Sequence, residues 1–187
     1  MTEASKRALL IVDIQNDYFP GGRMELVGSE AASLRAGELV AAFRAARLPV
    51  IHVQHISVRP GATFFLPDTE GVQIHQNVAP TASETVIQKH FPNGFRDTTL
   101  LEHLRTHEIG ELVIAGMMTH MCVDATTRAA ADLGLACFLA HDACATRALS
   151  FGGTTVPAEQ VHCSFLAALS GAYATVRPAS ELAPKPS

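Results

Sequence analysis

The sequence predicts an α/β protein with a three-layer, Rossmann-like fold: a six-stranded, mainly parallel sheet with helices on both faces. Three observations carry this expectation. Short apolar runs alternate with helical patterns from one end of the chain to the other. The runs are continuously apolar and rich in branched residues, as strands covered on both faces are. A helical pattern then separates each run from the next, which is the spacing of crossover connections between parallel neighbours.

The elements follow in order. Residues 8–14 form the first buried strand. Ser29 is placed to cap a helix running to about Arg47, with Ala36, Leu39, Val40 and Phe43 on one face. Residues 49–54 and 85–88 are the second and third strands. Asp97 is a good cap for a helix burying Leu100, Leu101 and Leu104. Residues 111–115 are strand four, and the stretch from Cys122 reads as a helix stopped by Gly134. Residues 135–140 are strand five. Pro157 opens a helix with Val161, Phe165, Leu166 and Leu169 inward, and residues 173–176 are strand six. Between strands two and three, residues 57–84 are rich in Gly and Pro and carry Phe64-Phe65. A connection this long in a compact domain is usually a site wall or an interface element. No repeat or composition break interrupts residues 1–187, which read as one domain ending in a fraying tail, 184–187.

Composition narrows the function. With 187 residues and 48% hydrophobic content, the chain can bury a sizeable core. A net charge of −4 without a basic block argues against nucleic-acid and membrane-surface binding. No apolar run is long enough to span a bilayer, and the first residues lack a cleavage-site pattern. Cys122, Cys137, Cys144 and Cys163 have no CxxC or zinc-ligand spacing, so they read as reduced thiols of a cytoplasmic protein.

In open parallel sheets, ligands bind beyond the carboxyl ends of the strands, where the winding reverses. Asp13 lies near the end of strand one, Lys89 at the end of strand three and Cys122 just after strand four. Taken singly, such residues are commonly a turn former, a solvated cation and an inert thiol. Gathered at one sheet edge, they would make an activated sulfur nucleophile: a carboxylate to take the proton and an ammonium to balance the charges. The helix start also favours a thiolate at Cys122, and with it faster alkylation than at the other three cysteines.

The motifs Leu10-Ile-Val-Asp13-Ile-Gln-Asn-Asp17-Tyr-Phe19, Gln88-Lys89-His-Phe-Pro-Asn-Gly-Phe95 and Gly116-Met-Met-Thr-His-Met-Cys122-Val-Asp-Ala-Thr-Thr-Arg128 resemble those of the isochorismatase-like cysteine hydrolases, in the same order. Asp142-Ala-Cys-Ala-Thr146 adds to the likeness. The resemblance implies Asp13 as general base, Lys89 as its cationic partner and Cys122 as nucleophile. It also implies a cis Met117–Met118 bond and an oxyanion hole made by the backbone N–H groups of Met118 and Cys122. The reaction it implies is hydrolysis of a C–N bond in a small amide or lactam. A pocket lined by Phe19, Phe64, Phe65, Phe95, Met117, Met118 and His120, with His55 as a polar contact, would accept the substrate, although several of these side chains are equally good core residues. The segment Gly61-Ala-Thr-Phe-Phe-Leu-Pro67 is closest to amide- and lactam-opening branches, streptothricin hydrolase among them.

Two departures refine the expectation. Metal-binding nicotinamidases carry an Asp-x-His pattern after strand two, where this chain has His52-Val-Gln-His55. No metal and no other cofactor is therefore expected. Members that cleave isochorismate lack the cysteine, which is present here. Three other readings compete: a metal-containing amidase of the nicotinamidase type, a non-catalytic small-ligand-binding protein of the same fold, and a thiol redox enzyme. The last lacks a resolving CxxC partner. Family habit and the aromatics of residues 57–84 together suggest a homodimer or higher homo-oligomer.

Overall fold

The central sheet has the strand order β3-β2-β1-β4-β5-β8, and every neighbouring pair is parallel. Its strands are β1 (Lys6–Val12), β2 (Val50–His55), β3 (Thr85–Lys89), β4 (Ile109–Met117), β5 (Ala136–Ala145) and β8 (Thr175–Arg177). A separate antiparallel hairpin, β6 (Leu149–Phe151) with β7 (Thr154–Val156), follows β5. The helices are α1 (Ser29–Ala45), α2 (Leu100–Thr106), α3 (Asp124–Asp132), α4 (Ala158–Leu169) and α5 (Ala179–Leu182). This computed structural model describes residues 6–185, so Pro186 and Ser187 of the expected tail lie outside the described residues.

The three layers follow from the two-residue period of the strands. On one face, Leu9, Ile11, Val113 and Ala115 pack against Ala36, Leu39, Val40 and Phe43 of α1 and against Ala179 and Leu182 of α5. On the other face, Leu10, Val12, Leu112 and Ile114 meet Leu100 and Leu104 of α2, Ala130 of α3 and Leu169 of α4. The winding reverses between β1 and β4, and a cleft there is a topological necessity. The two strands approach closely at Gly116, whose φ is 149°; a Cβ built there would lie 2.0 Å from the carbonyl oxygen of Val12.

Element ends differ from the sequence expectation in instructive ways. Gly28, not Ser29, is the residue before α1, and Ser29 turns its hydroxyl back toward the Leu26 carbonyl. Asp97 lies three residues before α2 with φ 55°, and the Thr98 hydroxyl accepts the Leu100 N–H instead. Strand six begins at Thr175, two residues later than its pattern suggested, and the β6–β7 hairpin and α5 had no counterpart in the sequence reading. The aromatics of residues 57–84 do not form an exposed face. Phe65 is 1% exposed and packs on Tyr18, with ring centroids 4.6 Å apart.

Candidate active site

Asp13, Lys89 and Cys122 converge at the switch point, and each reaches it for a local reason. Asp13 is the residue directly after β1 and adopts φ 51°, a left-handed turn that Asp tolerates better than most residues. Lys89 is the last residue of β3, with no exposed surface. Cys122 sits in a π-helical turn, Thr119–Val123, that links β4 to α3. The cysteine therefore precedes the α-helix rather than opening it. The Met117–Met118 bond just before this turn is cis.

The ammonium of Lys89 is the hub. Its Nζ lies 2.7 Å from Asp13 Oδ2, 3.0 Å from His55 Nδ1 and 3.2 Å from Cys122 Sγ. An ammonium has three donors, matched here by two hydrogen bonds and one ion pair. Because His55 Nδ1 must accept from Lys89, the neutral ring carries its proton on Nε2. Burial, followed by the Lys89 charge, pushes the His55 pKa down to about 4, so the ring stays neutral. Burial pulls the Lys89 pKa down, but Asp13 and Cys122 outweigh it and leave the ammonium more firmly protonated than usual. Asp13 Oδ1 is buried without a hydrogen-bond partner among the described residues.

One expectation meets an opposing effect here. Burial, reinforced by the Asp13 charge, raises the Cys122 pKa, and Lys89 only partly opposes it. This direction favours a thiol at rest over the thiolate expected from a helix start. A buried thiol of this kind is also not the first target of an alkylating reagent; Cys163 is the exposed cysteine. Cys144 is buried opposite Gly116 in the β4–β5 register and does not line the cleft.

Above the hub opens a cleft of ≈ 520 Å³ lined by Tyr18, Met24, His55, Ser57, Val58, Arg59, Thr63, Phe64, Phe65, His90, Phe91, Pro92, Met118, Met121, Cys122 and Arg147. Of the residues expected to touch substrate, His55, Phe64, Phe65 and Met118 line it. The others do not. Phe19 stacks on His75 with centroids 3.6 Å apart, Met117 is fully buried under α1, and Phe95 packs toward the opposite face of the sheet. His120 turns away to hydrogen-bond Thr146. Arg59, His90, Met121 and Arg147 were missed because they sit in irregular segments where no period marks a facing.

Two further residues hold the wall in place. Gln15 donates to the carbonyls of His55 (2.9 Å) and Val72 (2.7 Å) and accepts the His55 N–H at 2.8 Å. Asp17 Oδ2 accepts the Phe65 N–H at 2.6 Å, fixing a residue whose φ is 55°. Its Oδ1 accepts the Arg23 N–H at 3.2 Å. Gly71 packs flat against this carboxylate; a Cβ there would lie 2.1 Å from Oδ1. Both residues fall inside the first sequence motif, which was the available signal.

By count, Asp13, His55 and Cys122 resemble a metal donor set, since one ligand atom from each lies within 4.8 Å of the others. They do not fit one. The Lys89 ammonium already bridges all three, so a divalent cation would have to displace it or sit beside a like charge. His52 cannot help: it is three residues from His55 on a strand, faces the other way and pairs with Glu84 at 3.1 Å.

A buried thiol beside a carboxylate and an ammonium, below an apolar cleft at the switch point of a parallel sheet, defines the class: an α/β enzyme. Residues 7–161 match the isochorismatase domain. The chain belongs to the isochorismatase family and is a hydrolase of that family. It is 52% identical over 170 residues to an uncharacterized isochorismatase family protein, YddQ, of Bacillus subtilis, covering 91% of this chain and 94% of that one. It is 39% identical over 141 residues to a streptothricin hydrolase of Streptomyces noursei, covering 75% of this chain and 50% of that protein. The crystal structure of a putative isochorismatase hydrolase from Oleispira antarctica superposes with a TM-score of 0.92 at 52% identity, covering 97% and 98% of the two chains. Among the described residues no helix is long and apolar enough to cross a membrane.

Proposed function

We propose that this protein hydrolyses a C–N bond of a small amide or lactam through a thioester on Cys122, without a metal. The observation that carries the reading is the single ammonium within 2.7 Å of Asp13 Oδ2 and 3.2 Å of Cys122 Sγ, all three residues buried at the floor of one cleft. Asp13 takes the thiol proton as the sulfur attacks the carbonyl. Lys89 keeps both developing charges solvated where water does not reach. The backbone N–H groups of Met118 and Cys122 receive the tetrahedral oxyanion. Asp13 then returns the proton to the departing nitrogen, and the C–N bond breaks to leave the thioester. In the second half Asp13 takes a proton from water, water attacks the thioester, and the acid leaves as the thiol is restored.

A raised thiol pKa suits this sequence, because the proton leaves sulfur only when the carbonyl is in place. The metal-containing alternative would seat its ion among Asp13, His55 and Cys122, and the Lys89 ammonium argues against it. The relative named streptothricin hydrolase supports a hydrolytic reaction. The proposal includes assembly as a homodimer or higher oligomer, supported by Phe151, which is 92% exposed on the β6–β7 hairpin.

The test is a turnover screen of primary amides, lactams and nicotinamide, with intact-mass measurement of acid-quenched enzyme. Product formation with an acyl adduct mapped to Cys122, both absent in Cys122→Ala, is the expected result. Turnover that survives Cys122→Ala removes the thioester from the mechanism.

A further inference from the structure

The charges of the cleft are not balanced, and the imbalance is located. At the floor, Asp13 and Lys89 cancel, Cys122 is a thiol and His55 is neutral. At the mouth stand Arg59 and Arg147. No Asp or Glu lines the cleft, and neither arginine has an ion pair or side-chain hydrogen bond among the described residues. This local excess of +2 sits on a chain whose net charge is −4. Most other arginines in the described chain have found a carboxylate, as Arg7, Arg35, Arg44 and Arg128 have at 2.7–2.9 Å.

The topology aims the two arginines at one place. Arg59 lies in the segment after β2 and Arg147 two residues after the end of β5. In the strand order β3-β2-β1-β4-β5-β8, the strands carrying Asp13 and leading to Cys122 lie between them. The arginines therefore flank the thiol from both sides. Both charges are felt by cleft residues: Arg59 adds the smallest push to a His55 pKa lowered mainly by burial and then by Lys89, and Arg147 partly opposes the burial that raises the Tyr18 pKa. A guanidinium matches carboxylate and phosphate geometry, and both arginines are exposed while lining the same cleft as Cys122.

We propose that the substrate is an anionic amide, its carboxylate or phosphate group held at the cleft mouth by Arg59 and Arg147 while its carbonyl meets Cys122. The inference rests on the amidase reading for the position of the carbonyl. The His55 ring, with its proton fixed on Nε2, offers a third, uncharged donor from the floor of the same cleft. Cationic amides are disfavoured by the same field.

The test separates binding from chemistry. Cys122→Ala protein, which cannot form the thioester, is titrated calorimetrically at low salt with the monoamides of malonic, succinic and glutaric acid. Each is paired with its methyl ester, and phosphonoacetamide represents the phosphate class. The expected result is at least about tenfold tighter binding of one acid than of its ester, a contrast that shrinks with added salt. Arg59→Gln and Arg147→Gln should each reduce that ratio, and the double variant should bring it close to one. A tighter phosphonate would support the inference and assign the anion as phosphate; a tighter carboxylate assigns the other. Esters that bind as tightly as acids at every length, a ratio unmoved by the double variant, or no binding by any anionic member would overturn it. The two proposals fail separately. Arginine-dependent binding of acids that the unmodified enzyme never hydrolyses sinks the amidase reading alone. Hydrolysis of esters and acids with a flat ratio sinks the anion site alone.

Discussion

Two histidines three residues apart on β2 enter two charge clusters with opposite characters, one reaching solvent through Arg44 and one buried. His52 joins Glu84, whose carboxylate is saturated: it accepts from Arg44 Nε and Nη2 at 2.7 Å each, from the Thr81 N–H at 2.9 Å, and lies 3.1 Å from His52 Nε2. His55 joins Asp13, whose carboxylate has Lys89 at 2.7 Å and an oxygen with no hydrogen-bond partner among the described residues. Both clusters contain a carboxylate, a cation and an imidazole. A carboxylate with every lone pair engaged ties elements together; one with a lone pair to spare, beside a thiol, is available for a proton. Saturation, not composition, separates the structural cluster from the reactive one.

The sharpest way to break this comparison is to neutralise each carboxylate in turn. Asp13→Asn should lower turnover by about 10²–10⁴-fold, the usual weight of a general base. Glu84→Gln should leave turnover within about twofold and instead lower the melting temperature, with a loss of about 1–3 kcal/mol. Steady-state kinetics beside thermal unfolding of both variants checks the pair. A Glu84 variant that loses activity without losing stability would erase the distinction.

Acid titration gives a smaller, signed effect. Arg44, the Thr81 N–H and His52 overcome burial to hold the Glu84 pKa down at about 2, against an ordinary value of 4.5. The folded pKa is depressed, so this stabilisation is fully present above about pH 4.5 and fades as pH falls toward 2. Glu84→Gln should therefore be nearest to the unsubstituted protein in stability at the acid end, as urea midpoints measured from pH 7 to pH 3 would reveal. A difference that widens on acidification would reverse the sign and refute the assignment.

The reactive cluster has its own pH signature. With the Cys122 pKa raised by burial and by Asp13, iodoacetamide should label Cys163 before Cys122 at pH 7, and labelling of Cys122 should still be climbing above pH 9. A plateau for Cys122 by pH 7, followed by peptide mapping, would show a stored thiolate. The smallest expected effect is none: dialysis against EDTA should leave turnover unchanged, because an ammonium holds the place a cation would take. Loss of activity that one metal ion restores would return the site to the metal-containing alternative.

The strands were readable because burial on both faces leaves long branched runs such as residues 8–12. The floor of the cleft was readable because Asp13 and Lys89 stand at strand ends and Cys122 in the turn that follows β4. Asp97 misled because the residue before α2 is Thr99, and the Leu100 N–H goes to the Thr98 hydroxyl, one residue from Asp97, where propensity hardly separates the candidates. The Gly152-Gly153 pair between Phe151 and Thr154 is a hairpin signal that the short β6 and β7 made easy to pass over. Pocket walls were the hardest. Met117 and Met118 are adjacent in sequence, yet one ends β4 facing α1 and the other faces the cleft, and closeness to a motif cannot tell them apart. Arg147 directly follows a recognised motif but lies in a segment without period, so its facing was set by topology alone.

The Asp17 carboxylate pins Phe65 from one side while Gly71 leaves room for it on the other. The tip between Ser57 and Phe65 is thereby a span clamped at both ends, the Ser57 N–H donating to the Phe65 carbonyl at 2.9 Å. Its sequence can drift, lengthen or exchange side chains without disturbing the sheet or the thiol beneath. Such an arrangement is modular in the evolutionary sense: selection can re-dress the rim for a new molecule while the chemistry below is inherited intact.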